Sequence, residues 1–377
     1  MSALHPKIFI IVGEASGDLH ASNLVKELYK QSPGVEIEGW GGDLMQEAGV
    51  KILKHYRSLA FMGFAEVIMN IRTILRNFKI CKESIETFKP DALILIDYPG
   101  FNLRMAEWAK ARGIKVFYYI SPQIWAWKEA RVHKIGKFVD KMYCVLPFEK
   151  AFYKKHGYDV DFVGHPLLDV ISDDRRFNND EFRKQHNLGE KPIIAILPGS
   201  RKQEISTMLP VMLEAAQKIK THQIIVAAAP SQDISFYRSI CPDESIPFIA
   251  GQTYNIMHAA EAGFVTSGTA TLESALFGLK QVVCYKANPI SYQIARRLIK
   301  VKYISLVNLI ADRIIVKELI QGEMNPRRLF EELSLLIKNE DARKKMETDY
   351  AEIWKLLGGP GASAKTATSM LKSMYHS

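Results

Sequence analysis

The chain has 377 residues, 47% of them apolar, which is long for one hydrophobic core and leads us to expect two domains of ordinary size. Its 50 lysines and arginines against 41 acids leave a net charge of +9, which suits an acidic partner such as a nucleotide or an anionic membrane surface. Dispersed cations and the lack of a recognisable binding motif disfavour nucleic acid. The four cysteines (Cys81, Cys144, Cys241 and Cys284) form no CxxC pair and so exclude a zinc or disulfide framework, fitting buried thiols in a reducing cytoplasm.

Lys7–Val12 reads as a short strand, followed by the loop Gly13-Glu14-Ala15-Ser16-Gly17-Asp18-Leu19-His20 and a helical pattern through Leu24 and Leu28. The apolar run Ile8–Val12 is too short for a signal-peptide core, and no uncharged apolar run approaches ~18 residues. A soluble protein, or one that at most sits on a membrane, is expected. The loop glycines are not spaced as GxGxxG, so a dinucleotide fingerprint is not supported, although the loop suits a sugar or phosphate. Val35–Gly39 is a second strand. The segment Phe61–Met69, with Phe61, Met62, Phe64, Val67 and Ile68, is unusually apolar and is followed by Arg72, Arg76, Lys79 and Lys82. It is either a core helix with a wet basic face or an exposed patch that dips into an anionic bilayer or admits acyl chains.

Ala92–Ile96 is an apolar strand ending in Asp97-Tyr98-Pro99-Gly100-Phe101-Asn102. Ligands of open α/β sheets lie at the carboxyl ends of strands, so Asp97, walled by Tyr98 and Phe101, is a candidate general base; a helix-capping or turn aspartate is the alternative. Val116–Ile120 runs into Ser121-Pro122-Gln123-Ile124-Trp125-Ala126-Trp127-Lys128, where two tryptophans suggest a ligand wall. Met142–Leu146 and Val160–Val163 are further strands. His165, after the second, either touches a ligand or is a packed turn histidine.

The polar stretch Ser172–Asn187 reads as the linker. Beyond it, Pro192–Leu197 is a buried strand that breaks at Pro198-Gly199 into Ser200-Arg201-Lys202-Gln203-Glu204, the start of a helix. Helix starts favour anions, and Arg201 adds a planar cation suited to a pyrophosphate; an ordinary loop with a solvated charge cluster is the alternative. Gln223–Ala229 and Phe248–Gln252 are strands, and Asn255–Ala260 is a short helix. Gly263–Thr266 leads into Ser267-Gly268-Thr269-Ala270-Thr271-Leu272-Glu273, with three hydroxyls around a helix start and Glu273 placed within the first turn to accept from sugar hydroxyls. Helix capping would use the same residue types. Val282–Tyr285, a helical pattern over Ile290–Ile299, the segment Ile304–Ile310, two amphipathic helices at Pro326–Ile337 and Arg343–Leu357, the breaker Gly358–Gly361 and a terminal helix at Lys365–Met374 complete the chain.

Gly13–His20, Met62–Val67, Ile96–Asn102, Ser121–Lys128, Phe162–Leu167, Leu197–Ile205 and Ser267–Glu273 together resemble the lipid-A-disaccharide synthase family. The resemblance implies a GT-B-like α/β fold: two Rossmann-like, doubly wound domains facing a central cleft. Their expected ranges are 1–170 for an acceptor- and membrane-facing domain, 171–355 for a UDP-sugar domain, and 356–377 for a terminal helix returning to the first. It implies an inverting transfer from UDP-2,3-diacylglucosamine to 2,3-diacylglucosamine 1-phosphate, giving the β-1,6-linked disaccharide 1-phosphate and UDP. No metal and no cofactor is implied. The catalytic set would be Asp97 as base, Arg201 and Asn308. The donor would meet Ser200, Arg201, Gln203, Ser267, Gly268, Thr269, Ala270, Thr271 and Glu273. The acceptor would meet Glu14, Ser16, Gly17, Asp18, Tyr98, Asn102, Gln123 and His165. Phe61, Met62, Phe64, Val67 and Ile68 would face the inner leaflet of the inner membrane, where the protein would be peripheral and cytoplasmic; a homodimer is allowed but not required. One departure is Lys317, before Glu318-Leu319, where the family pattern leads us to expect proline. A UDP-sugar 2-epimerase, and a non-catalytic lipid- or nucleotide-binding module, are the competing readings.

Overall fold

The computed structural model describes residues 5–59, 71–173, 177–288, 292–293 and 301–375. Phe61, Met62, Phe64, Val67 and Ile68 lie outside the described residues, as does the Ile290–Ile299 segment apart from Tyr292 and Gln293. The chain forms two compact units, one of Met1–Val170 with Leu357–Ser377 and the other of Ile171–Leu356.

The first unit carries β1 (Lys7–Val12), β2 (Glu36–Gly41), β3 (Lys51–His55), β4 (Ala92–Ile96), β5 (Lys115–Tyr119), β6 (Lys141–Cys144) and β7 (Asp161–Phe162), in the order β3-β2-β1-β4-β5-β6-β7. All neighbours pair parallel. β1 and β4 are apolar without alternation because helices cover both faces; Ile8–Val12 and Ala92–Ile96 are fully buried. The second unit repeats the plan with β8 (Ile193–Leu197), β9 (Gln223–Ala228), β10 (Phe248–Ala250), β11 (Ala262–Thr266), β12 (Lys280–Tyr285) and β13 (Lys317–Ile320), ordered β10-β9-β8-β11-β12-β13 and again parallel. Each order reverses direction once, between β1 and β4 and between β8 and β11.

β3 and β13 are strands that the sequence pattern does not announce. Both are edge strands, short and half polar, which protects an open sheet edge from pairing with another chain. The segment Ile304–Ile310 is a turn leading into the helix Leu306–Ala311, capped by the Ser305 hydroxyl, which accepts from Asn308 N–H. The stretch read as linker holds the helix Asn179–Gln185, capped by Asn178. All four cysteines are buried and unpaired, and among the described residues no helix is long and apolar enough to cross a membrane.

The terminal helix Ala362–Tyr375 belongs to the first unit. The Asp169 carboxylate accepts from the N–H groups of Gly361 (2.5 Å), Ala362 (3.3 Å) and Ser363 (2.9 Å), capping its start. Along its length, Thr368 donates to the Gln31 side chain (2.8 Å), and Ser369 accepts from Lys141 (3.0 Å).

Candidate functional site

In the first unit the site grows from the switch between β1 and β4. Val12 pairs with Ile96 as their last partners, so Gly13-Glu14 and Asp97-Tyr98 leave the sheet side by side. In a doubly wound sheet this crevice is where ligands bind. Asp97 and Tyr98 both take the left-handed backbone conformation, φ 43° and 48°, a strained arrangement for two consecutive non-glycine residues. The Asp97 carbonyl is held by the Tyr118 hydroxyl (2.5 Å) and by the Asn102 amide (2.7 Å), which also donates to the Ile96 carbonyl (3.2 Å). The Tyr98 ring stacks on Phe101 and lies over Gly13, where a Cβ would stand 2.3 Å from it. Glycine at 13 is therefore a requirement of that aromatic lid.

The twist presents the Asp97 carboxyl toward Glu14. Burial, the Glu14 charge and a shared hydrogen bond with Glu14 push Asp97 up to about 7, opposed by the Tyr98 N–H. The Ser16 hydroxyl also donates to the Glu14 carboxylate (2.5 Å). A carboxyl that titrates near neutrality, next to a second carboxyl, is suited to taking a proton.

Other residues expected here serve the fold. Asp18 is buried, and its carboxylate accepts from Gly42 (2.7 Å), Leu44 (3.1 Å) and Met45 (3.3 Å), capping the helix Asp43–Glu47. Gly17 is buried against Val12. Asn102 is fully buried, and its amide anchors the Asp97 backbone. His165 is the packed turn histidine: its Nδ1 accepts from Leu167 (3.2 Å), its ring meets His20 edge-on, and burial drives it down to about 3. Gln123 is exposed. Of the two tryptophans, Trp125 donates to buried Glu149 (3.2 Å), whereas Trp127 is 51% exposed beneath the Lys128 ammonium.

In the second unit the switch lies between β8 and β11, where Leu197 pairs with Val265. Past Leu197 the chain turns at Gly199, φ 101°, into Ser200 and Arg201, which precedes the helix Lys202–Ala216. The Arg201 side chain is 62% exposed and pairs with Glu204 at 3.1 Å. Ser200 and Gln203 are exposed beside it. Past β11, Gly268 precedes the helix Thr269–Leu276, with Thr269 exposed and Ala270 half-buried. A guanidinium and a helix start at the carboxyl ends of neighbouring strands are groups that favour anions.

The hydroxyls of this loop are not three free donors. Ser267 donates to the Ile304 carbonyl (2.9 Å), and buried Thr271 donates to the Gly268 carbonyl (2.8 Å). Glu273 is the fifth residue of its helix, one position beyond the first turn, and burial alone pushes it up to about 7. Asn308 is fully buried. Its amide donates to the Val316 carbonyl (2.9 Å) and Glu318 (2.9 Å), and its oxygen accepts from Ile315 (2.7 Å) and Val316 (3.0 Å). Every polar valence of its side chain is taken inside the fold.

Sequence reasoning missed Tyr118 and Glu318. Tyr118 looks like one more apolar strand residue, and Glu318 like a solvated charge; only the fold turns each toward the loop that it holds.

The family model described as lipid-A-disaccharide synthetase matches residues 8–372. The lipid-A-disaccharide synthase of Syntrophus aciditrophicus (strain SB) is 41% identical over 372 residues, covering 97% of each chain. That of Myxococcus xanthus (strain DK1622) is 38% identical over 374 residues, with the same coverage. Among solved structures, UDP-GlcNAc 2-epimerase from Neisseria meningitidis bound to UDP-GlcNAc superposes with a TM-score of 0.68 at 14% identity, over 97% of this chain and 100% of that one. CalG4, the calicheamicin glycosyltransferase, gives 0.59 at 14% identity over 98% of both. These two share the fold alone. The match along almost the whole sequence decides the family: the chain belongs to the lipid-A-disaccharide synthases.

Proposed function

We propose that the chain joins two acylated glucosamines, transferring one from UDP-2,3-diacylglucosamine to the 6-hydroxyl of 2,3-diacylglucosamine 1-phosphate. As a member of its family it is a glycosyltransferase that forms the lipid A disaccharide. The acceptor oxygen attacks the anomeric carbon from the face opposite UDP, the bond from that carbon to the UDP oxygen breaks, and the hydroxyl proton passes to Asp97. The leaving diphosphate is received by Arg201 and the start of the helix Thr269–Leu276, where fixed positive charge is worth ~3 kcal/mol of barrier. Glu273 takes the ribose or sugar hydroxyls. Glu14 and Ser16 take the acceptor headgroup; Asp18, Asn102 and His165 build the walls behind them. In this reading the first unit holds the acceptor and the second holds the donor.

The observation that carries the reading is the Asp97 carboxyl, aimed by two strained residues at a switch point and held near neutral pH. A single-tube reaction tests it: purified protein, UDP-2,3-diacylglucosamine and radiolabelled acceptor, in detergent with EDTA. A slower-migrating disaccharide phosphate and free UDP are expected, with Arg201→Ala raising the donor KM more than the acceptor KM. UDP binding without product would favour the epimerase reading or another acceptor.

The same proposal puts the protein at the inner leaflet of the inner membrane, through residues 61–69 and the exposed cations Arg72 and Arg76 on the helix Ile71–Phe88. Replacing Phe61, Met62 and Phe64 by serine then lowers co-sedimentation with anionic vesicles. Equal co-sedimentation would return the segment to the core.

A further inference from the structure

The edge strand β13 carries a carboxylate that is tied to the backbone of a neighbouring segment. Glu318 is half-buried and turned back onto the segment before the helix Leu306–Ala311. Its two oxygens accept from the Ile304 N–H (3.2 and 3.0 Å), and one of them also accepts from the Ser305 N–H (3.0 Å) and the Asn308 amide (2.9 Å). Hydrogen bonds to an ionised acceptor are among the stronger ones a protein makes. Asn308 completes the latch by holding Ile315 and Val316, the residues that lead into β13. The other face of the same peptide segment points at the second-unit switch: the Ile304 carbonyl accepts the Ser267 hydroxyl at 2.9 Å. One residue therefore separates the Glu318 carboxylate from the turn that starts the helix Thr269–Leu276.

We propose that Glu318 is a positioning residue for the sugar-nucleotide site: it fixes Ile304, whose carbonyl holds Ser267 and so sets the turn from which the helix start meets the diphosphate. Fully buried Asn308 then belongs to the same latch and bears on the donor site without touching a substrate. An edge strand far from any expected chemistry thereby gains a share in donor recognition. The inference rests on the donor role proposed above for the Ser267–Glu273 loop.

The test is UDP binding by titration calorimetry on the full chain, with steady-state constants for both substrates, for the unchanged protein and for Glu318→Ala, Glu318→Gln, Ser267→Ala and the double variant Ser267→Ala/Glu318→Ala. Circular dichroism confirms folding. Glu318→Ala is expected to lose ~10-fold in UDP affinity, the worth of roughly one well-made hydrogen-bond network contact, and to raise the donor KM in step while the acceptor KM stays. Glu318→Gln keeps one acceptor oxygen and loses less. The double variant is no worse than the poorer single one, because both break the same link. Should Glu318→Ala not fold, Glu318→Gln and Ser267→Ala carry the comparison. Unchanged UDP affinity in folded variants, equal rises in both KM values, or additive losses would each overturn the proposal while leaving the donor site standing. Failure of the unchanged protein to bind UDP would overturn the donor reading, and this inference with it.

Discussion

Asp97 and Glu14 define the chemistry at the scale of single residues. Burial, reinforced by the Glu14 charge, keeps the proton on Asp97 to about neutral pH. A base of that kind gives kcat/KM an acid limb: the rate rises as pH rises through about 7, where Asp97 loses its proton. Glu14→Gln removes the charge that opposes ionisation and is expected to move the limb down by ~1 pH unit, read from a pH–rate profile. A limb that stays in place would show that burial alone sets it. Much of this pair was legible, because a carboxylate at the end of an apolar strand is a recognisable pattern. What the pattern cannot carry is which polar side chain turns outward. Asp18 and Asn308 have the expected residue types, yet they sit in helices and every hydrogen bond their side chains make is to the fold.

Among the elements, the buried parallel strands were readable because uninterrupted runs such as Ala92–Ile96 have few other uses. β3 and β13 were not, since an edge strand's mixed polarity looks like a loop. The Lys317 departure belongs to this level. Lys317 opens the edge strand and is exposed, a position where proline and a charged residue are both tolerated. The terminal helix depends on a local device as well, the Asp169 carboxylate on its first N–H groups. Asp169→Ala is expected to cost ~1–2 kcal/mol of first-unit stability, measured by urea unfolding. An unchanged midpoint would mean that the side-chain packing of the helix suffices without its cap.

For the molecule as a whole, the same buried groups set its response to pH. Asp97, Glu149 and Glu273 are each pushed up to about 7, chiefly by burial, while burial pushes His20 down to about 4 and His165 to about 3. Between pH 5.5 and 8 the unfolded carboxyls are ionised while the folded ones hold protons until about 7, so their contribution to stability falls as pH rises. The histidines work in the opposite sense: below 6.5 the unfolded chain takes up protons that the folded state refuses. Three carboxyls outnumber two histidines. In ~0.15 M salt, which screens the repulsion of the +9 charge, the urea midpoint is therefore expected to be higher at pH 5.5 than at pH 8. The reverse order would mean that these carboxyls are less perturbed than their burial implies.

The most direct measurement is turnover of Asp97→Asn with both lipid substrates, alongside calorimetric UDP binding by the same protein. A lost general base predicts a rate lower by ~100- to 10,000-fold with UDP affinity and the circular dichroism spectrum unchanged. A near-normal rate in the folded variant would contradict the assignment of the base, and with it the account of how this crevice takes the proton.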